Sequence, residues 1–127
     1  MKKVFVITTF LQKRTKMKLN DYQTQALSFR LPSADHMYAL LNLTSEVGEL
    51  NGHIAKGIRD EVPQQTIGVN IAKELGDILW CVAAIGADMG LTLEDIAQGN
   101  LDKLIKRKAT GTIKGSGDNR EAVVNAV

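Results

Sequence analysis

The sequence predicts an all-α fold, a four-helix, bundle-like domain. Three observations point there. Past Met17, apolar residues recur at three- and four-residue steps, the period of a helix with one buried face. Aromatic residues make up 5% of the chain and prolines number two, which argues against a β-sandwich with turn signals every 8–12 residues or so. At 127 residues, 44% hydrophobic and 24% charged, the chain has the composition of one ordinary globular domain, which excludes collagen, a mucin-like stalk and wholesale disorder.

The elements follow in order. Asn20 or Asp21 can cap a first helix that runs through about Phe29, where Leu31-Pro32-Ser33 breaks it. Ser33 or Asp35 starts the second, which carries Leu40, Leu43, Val47, Leu50 and Ile54 and is expected to fail near Gly57. Residues 59–65, with Pro63 among them, read as a loop. The third helix is expected over 66–89, with Ile71, Leu75, Ile78, Leu79, Val82 and Ile85 on one side and Gly90 as its C-terminal cap. Thr92 caps the fourth, with Asp95 three residues on as a short capping box, and Ile96, Leu101, Leu104 and Ile105 precede Ala109. Gly111, Gly115 and Gly117 make the remainder an extended or mobile tail. The expected organisation is a leader over 1–16, a helical domain over 17–110 and a glycine-rich tail over 111–127.

The leader carries Lys2-Lys3 and an apolar run from Val4 to Leu11, but no small-x-small cleavage site follows, so a secretory signal fits poorly. Its Val, Phe, Ile and Thr residues would also suit a strand. A start at Met17, with the leader a dispensable extension, is the preferred reading. No apolar run reaches the roughly 18 residues of a membrane-spanning helix, so no membrane partner is expected.

The formal charge of +2 misleads about partners. Six of the 16 basic residues lie in the first 18 positions, leaving 10 bases against 14 acids from Leu19 onward. A nucleic-acid binder carries its basic excess on the folded body, so nucleic acid is excluded as a partner. The single cysteine, Cys81, rules out an intramolecular disulfide and a multi-cysteine zinc cage. Its apolar surroundings, Ile78-Leu79-Trp80-Cys81-Val82, mark it as a small buried hydrophobe, and the compartment expected is the cytoplasm.

The chemistry lies in acidic stripes. Asn42, Glu46, Glu49, His53 and Lys56 share one polar stripe of the second helix, bordering the apolar seam, and Glu74 and Asp77 form a similar pair on the third. Like charges three residues apart repel by a few tenths of a kcal/mol or so. Four carboxylates across a groove would repel more unless a cation sat among them. Di-iron bundles need Glu-x-x-His, whereas His53 is four residues after Glu49 and no histidine follows Glu74 or Asp77. An oxygen-only set suits Mg²⁺ or Mn²⁺ and, through the metal, a phosphate. No glycine loop cradles that phosphate, since Gly115-Ser116-Gly117 lacks the lysine and helix of a P-loop. Lys103, Lys106, Arg107 and Lys108 could meet it, or could simply be the cations that favour a helix C-terminus.

Glu46-Val47-Gly48-Glu49 followed by Glu74-Leu75-Gly76-Asp77 resembles the ExxE…ExxD pattern of MazG-like nucleotide pyrophosphohydrolases, in the all-α NTP pyrophosphatase superfamily. The 24 residues between Glu49 and Glu74 and the Asn100-Leu101-Asp102-Lys103-Leu104 segment with Arg107 fit the family, and the likeness spans about Leu19 to Arg107. The resemblance implies hydrolysis of a nucleoside triphosphate, NTP or dNTP, to the monophosphate and pyrophosphate by water attack at the α-phosphorus. It makes Glu46, Glu49, Glu74 and Asp77 the Mg²⁺ ligands, Glu49 the proton acceptor, and Lys56, Asn100, Lys103 and Arg107 the groups that neutralise the triphosphate. Trp80, beside the Asp77 edge of its helix, can stack on the base or serve as a core or interface tryptophan. His53 is expected to tune the pocket or bond a neighbour rather than ligate. The resemblance also implies a homodimer or homotetramer that completes the small bundle. Two alternatives stay open: a phosphoribosyl-ATP pyrophosphohydrolase with the same metal site, and a non-catalytic helical module whose acidic stripe docks a basic partner.

Overall fold

The computed structural model describes residues 16–120, so the reading of the leader over 1–15 and that of residues 121–127 lie outside it. The described residues form four α-helices and no strand, the all-α class expected: α1 Leu19–Leu27, α2 His36–Arg59, α3 Gln64–Asp88 and α4 Leu93–Ala109. The chain divides into two compact units, the first reaching Leu93 and the second beginning at Glu94.

In the first unit, α2 and α3 pack as an antiparallel hairpin and α1 lies on α3. Asn42 near the start of α2 meets Cys81 late in α3, and His53 near its end meets Glu74, which fixes the opposed direction. Asp35 starts α2 as expected: its carboxylate accepts from the Met37 and Tyr38 backbone N–H groups at 3.0 and 3.1 Å. α1 differs from expectation, because Lys18 rather than Asn20 or Asp21 occupies its N-cap and makes no side-chain cap bond.

α2 does not fail at Gly57 but continues to Arg59. Gly57 is buried against α3, and a Cβ there would overlap Ile67 Cδ1 and come within 2.7 Å of its Cγ1. The glycine therefore serves close helix packing. The helix ends two residues later, at Arg59; just beyond it Glu61 takes φ 51°, and Val62 N–H donates to Gly57 O at 2.9 Å. The loop is correspondingly shorter than expected, with Pro63 at the N-cap of α3.

α1 is tied down by one buried amide. Gln23 donates to Ala83 O at 3.0 Å and Leu91 O at 3.2 Å, and its Oε1 accepts from Leu93 N–H at 3.0 Å. Trp80 Nε1 donates to Ala26 O at 3.2 Å, and Arg30 forms a two-pronged ion pair with Asp88, which holds that carboxyl below the usual carboxylate range. Cys81 is fully buried, and burial pushes its thiol up, as a small core hydrophobe requires.

In the second unit, residues 111–120, read from their glycines as the start of an extended or mobile tail, are held by Arg120. Arg120 donates to Thr112 O, Ile113 O and Gly117 O, and this folds the segment back on itself. No single helix among the described residues is long and apolar enough to cross a membrane.

Candidate metal centre

The antiparallel α2–α3 hairpin turns the polar stripe of α2 toward α3. Asn42, Glu46 and His53 lie at four- and seven-residue steps on one face of α2, and Glu74 and Asp77 lie one turn apart on α3. Packing brings Glu46, Glu74 and Asp77 together, with one carboxylate oxygen of each within 4.8 Å of the others. Glu74 is buried, Glu46 half-buried and Asp77 exposed, so the cluster opens to solvent on the Asp77 side.

Each inner carboxylate is oriented by a neighbour. Asn42 Nδ2 donates to Glu46 Oε1 at 2.9 Å and also reaches Cys81 Sγ at 3.6 Å. His53 Nε2 lies 3.0 Å from Glu74 Oε1, so His53 bonds a neighbour, as the sequence led us to expect. Burial raises the Glu46 carboxyl above its ordinary value, against the Asn42 hydrogen bond, and the charges of Asp77, Glu49 and Glu74 raise it further. Burial and the Asp77 charge likewise push the Tyr22 phenol up. A concentration of negative charge with an all-oxygen donor set fits a hard divalent cation and does not fit a soft one.

Glu49, the fourth acid of the predicted set, is exposed and lies outside the 4.8 Å group, although its charge reaches Glu46. Lys56 is exposed on the last turn of α2. Trp80 lies between two hollows that share Asp77. One, of about 300 Å³, adds Tyr38, Asn42 and Glu46; the other, of about 460 Å³, adds Tyr22, Gln25 and Phe29. Trp80 thus combines a structural hydrogen bond with a face on both hollows. Tyr22 was not singled out from the sequence, and its place four residues before Ala26 on a short helix carried no signal of it.

Asn100, Lys103 and Arg107 belong to the second unit. Asn100 is exposed, while Lys103 and Arg107 are half-buried and both contact Asp118, at 3.1 and 3.3 Å. Asp118 was missed, because a glycine-rich segment gives no sign of where it folds back.

A family model described as the MazG nucleotide pyrophosphohydrolase domain matches residues 35–112. The Gene 37 protein of Mycobacterium phage L5 is 39% identical over 85 residues, covering 65% of this chain and 75% of that protein. No solved structure matches significantly. The family match begins at the Asp35 cap and takes in all three clustered carboxylates and the cations of α4.

Proposed function

This chain belongs to the MazG nucleotide pyrophosphohydrolase family, and from that membership we propose that it hydrolyses an NTP or dNTP to the monophosphate and pyrophosphate, with Mg²⁺ as its cation and Mn²⁺ as a substitute. The observation that carries the reading is the convergence of Glu46, Glu74 and Asp77, an oxygen-only set on two packed helices. These residues would hold the cation, with Glu49 completing the set from the next turn of α2. When bound, the ion neutralises phosphate charge and makes water a stronger acid.

The chain's own groups supply the rest. Asn42 and His53 hold Glu46 and Glu74 in place, so the acidic set is organised before substrate arrives. Glu49, exposed and unengaged in the 4.8 Å group, is the proposed proton acceptor. A water oxygen bonds to the α-phosphorus, the bond from that phosphorus to the α–β bridging oxygen breaks, and pyrophosphate leaves. The water proton passes to the Glu49 carboxylate. Trp80, with Tyr22 and Phe29 around the larger hollow, offers the base an aromatic wall, at about 1–3 kcal/mol for stacking. Lys56, Asn100, Lys103 and Arg107 are assigned to the triphosphate on the resemblance, since positioning and charge supply most catalysis in phosphoryl transfer. The proposal includes a cytoplasmic location and a homo-oligomer.

The test is release of pyrophosphate and monophosphate from a panel of NTPs and dNTPs with Mg²⁺, beside a Glu49→Gln variant. Loss of a general base lowers kcat by about 10²–10⁴-fold, and a drop of that size in the variant is expected. Full turnover by Glu49→Gln would remove Glu49 from the chemistry. No turnover of any nucleotide with either Mg²⁺ or Mn²⁺ would overturn the substrate assignment and make phosphoribosyl-ATP the next compound to try.

A further inference from the structure

The second unit holds a cationic pocket with one carboxylate in its wall. Lys103, Lys106, Arg107, Thr110 and Arg120 line a cavity of about 200 Å³, and Asp118 is its one acidic wall. Asp118 Oδ1 lies 3.1 Å from Lys103 Nζ and 3.3 Å from Arg107 Nη2. The two partners differ in exposure: the Arg107 side chain is 13% exposed and that of Asp118 80%. Arg107 Nη2 also donates to Gly117 O at 2.9 Å and Asp118 O at 3.2 Å.

The neighbouring donor is unused. Arg107 Nε is buried and makes no hydrogen bond among the described residues. Nε and Nη2 form the guanidinium edge that takes two oxygens of one oxyanion side by side, and here only Nη2 is engaged. A buried donor without a partner is costly, so a ligand that reaches it gains more than an exposed contact gives. The Gly117–Asp118 segment covers that edge and satisfies it only in part.

We propose that Asp118 is a resident competitor for a phosphate-class oxyanion, a carboxylate that occupies Lys103 and Arg107 until a phosphate or pyrophosphate group displaces it. The proposal rests on the pyrophosphohydrolase reading in one respect: the natural displacing anion is then the substrate's polyphosphate or the pyrophosphate product. A pyrophosphate brings more charge and more oxygens than one carboxylate. Once the Gly117–Asp118 segment withdraws, it can take Nε and Nη2 of Arg107 together with Lys103 Nζ. Exposed ion pairs are weak, so the latch is easily opened, and removing it shifts anion affinity by about fivefold.

The experiment is calorimetric titration of the full chain with inorganic pyrophosphate, without divalent metal, for the native protein and for Asp118→Asn. Asp118 is exposed, so the substitution leaves packing intact. The expected result is a Kd for pyrophosphate about fivefold lower in Asp118→Asn, with Arg107→Lys weakening binding. Equal or weaker binding by Asp118→Asn, or no binding by either protein, overturns the proposal. The outcomes separate from those of the nucleotide assay because no turnover is read. Tighter binding by the variant of a protein that hydrolyses no nucleotide keeps the latch and rejects the enzyme reading. Nucleotide turnover with unchanged pyrophosphate affinity keeps the enzyme and rejects the latch.

Discussion

Glu46 shows most directly what the acidic cluster costs. Its carboxyl is raised by burial and by the charges of Asp77, Glu49 and Glu74, so the folded protein keeps a repulsion that the unfolded chain lacks. Replacing Glu46 by Gln removes one charge from the cluster and leaves an oxygen for the Asn42 hydrogen bond. The metal-free variant is therefore expected to melt about 2–4 °C above the native protein, since 1 kcal/mol or so moves Tm by that order. The native protein should gain stability with Mg²⁺ or Mn²⁺ by mass action, about 2.7 kcal/mol at a hundredfold excess over Kd, and the variant should lose most of that gain. Thermal melts with metal, and with NaCl at matched ionic strength, measure both effects. An equal shift in both proteins, or one reproduced by NaCl, would mean a screened surface stripe. At this scale the sequence was informative in part. The three-residue spacing marked Glu46 with Glu49 and Glu74 with Asp77, but spacing on one helix cannot say which acid meets the neighbouring helix. That depends on how α2 is rolled against α3, which brings Glu46 into the group and leaves Glu49 outside it. Gln23 did carry a signal: it stands on the α1 face shared with Leu19, Ala26 and Leu27, where a polar residue needs partners, and it has three.

Helix ends explain where element boundaries were legible and where they were not. α2, α3 and α4 all finish on the same pair of bonds, from the residue after the cap and the one beyond it, back into the last turn: Glu61 and Val62, Gly90 and Leu91, Gly111 and Thr112. The first residue of each pair is left-handed, with φ 51°, 74° and 69°. Two of these residues are glycine, the residue that announces such an ending, and those helices were expected to stop where they do. The third is Glu61, which announces nothing, so the nearest glycine, Gly57, was read as the stop although packing on Ile67 is its role. The exception yields a prediction. A non-glycine residue in this conformation costs about 1–2 kcal/mol, and the exposed Glu61 side chain makes no hydrogen bond or ion pair among the described residues that would repay it. Glu61→Gly should stabilise the protein by about 1 kcal/mol, seen as a higher urea midpoint with unchanged slope. A lower midpoint would show that the Glu61 side chain makes a compensating interaction, and the backbone argument would fail.

For the molecule as a whole, the question is what covers the apolar surface that the first unit leaves bare. Among the described residues its fully buried apolar side chains are small, Ala39, Cys81, Ala83 and Ala84, with Leu93 close behind. The larger ones stay partly in water: Leu41 is 67% exposed, Ile58 73% and Leu75 54%. Ile54, Ile58, Ile67, Ile71 and Leu75 line an apolar hollow of about 520 Å³ along α2 and α3. Apolar surface on this scale disfavours the isolated chain, because each side chain of Leu or Ile size gains about 1.5–3 kcal/mol on full burial. A second copy offers the same face, and a two-fold axis lets one patch cover its own image. The periodicity of the sequence predicted Ile54, Ile71 and Leu75 as members of apolar rows, but not Leu41, Ile58 or Ile67, nor which of these side chains the chain buries within itself. Light scattering at micromolar concentration is therefore expected to give a mass of two or four chains. Ile58→Glu with Leu75→Glu should lower it to one chain while far-UV circular dichroism keeps its helical form. A native protein that is monomeric and fully active would contradict the assembly. A dimer unmoved by the double substitution would place the interface on another face, such as the one carrying Leu40 and Leu41.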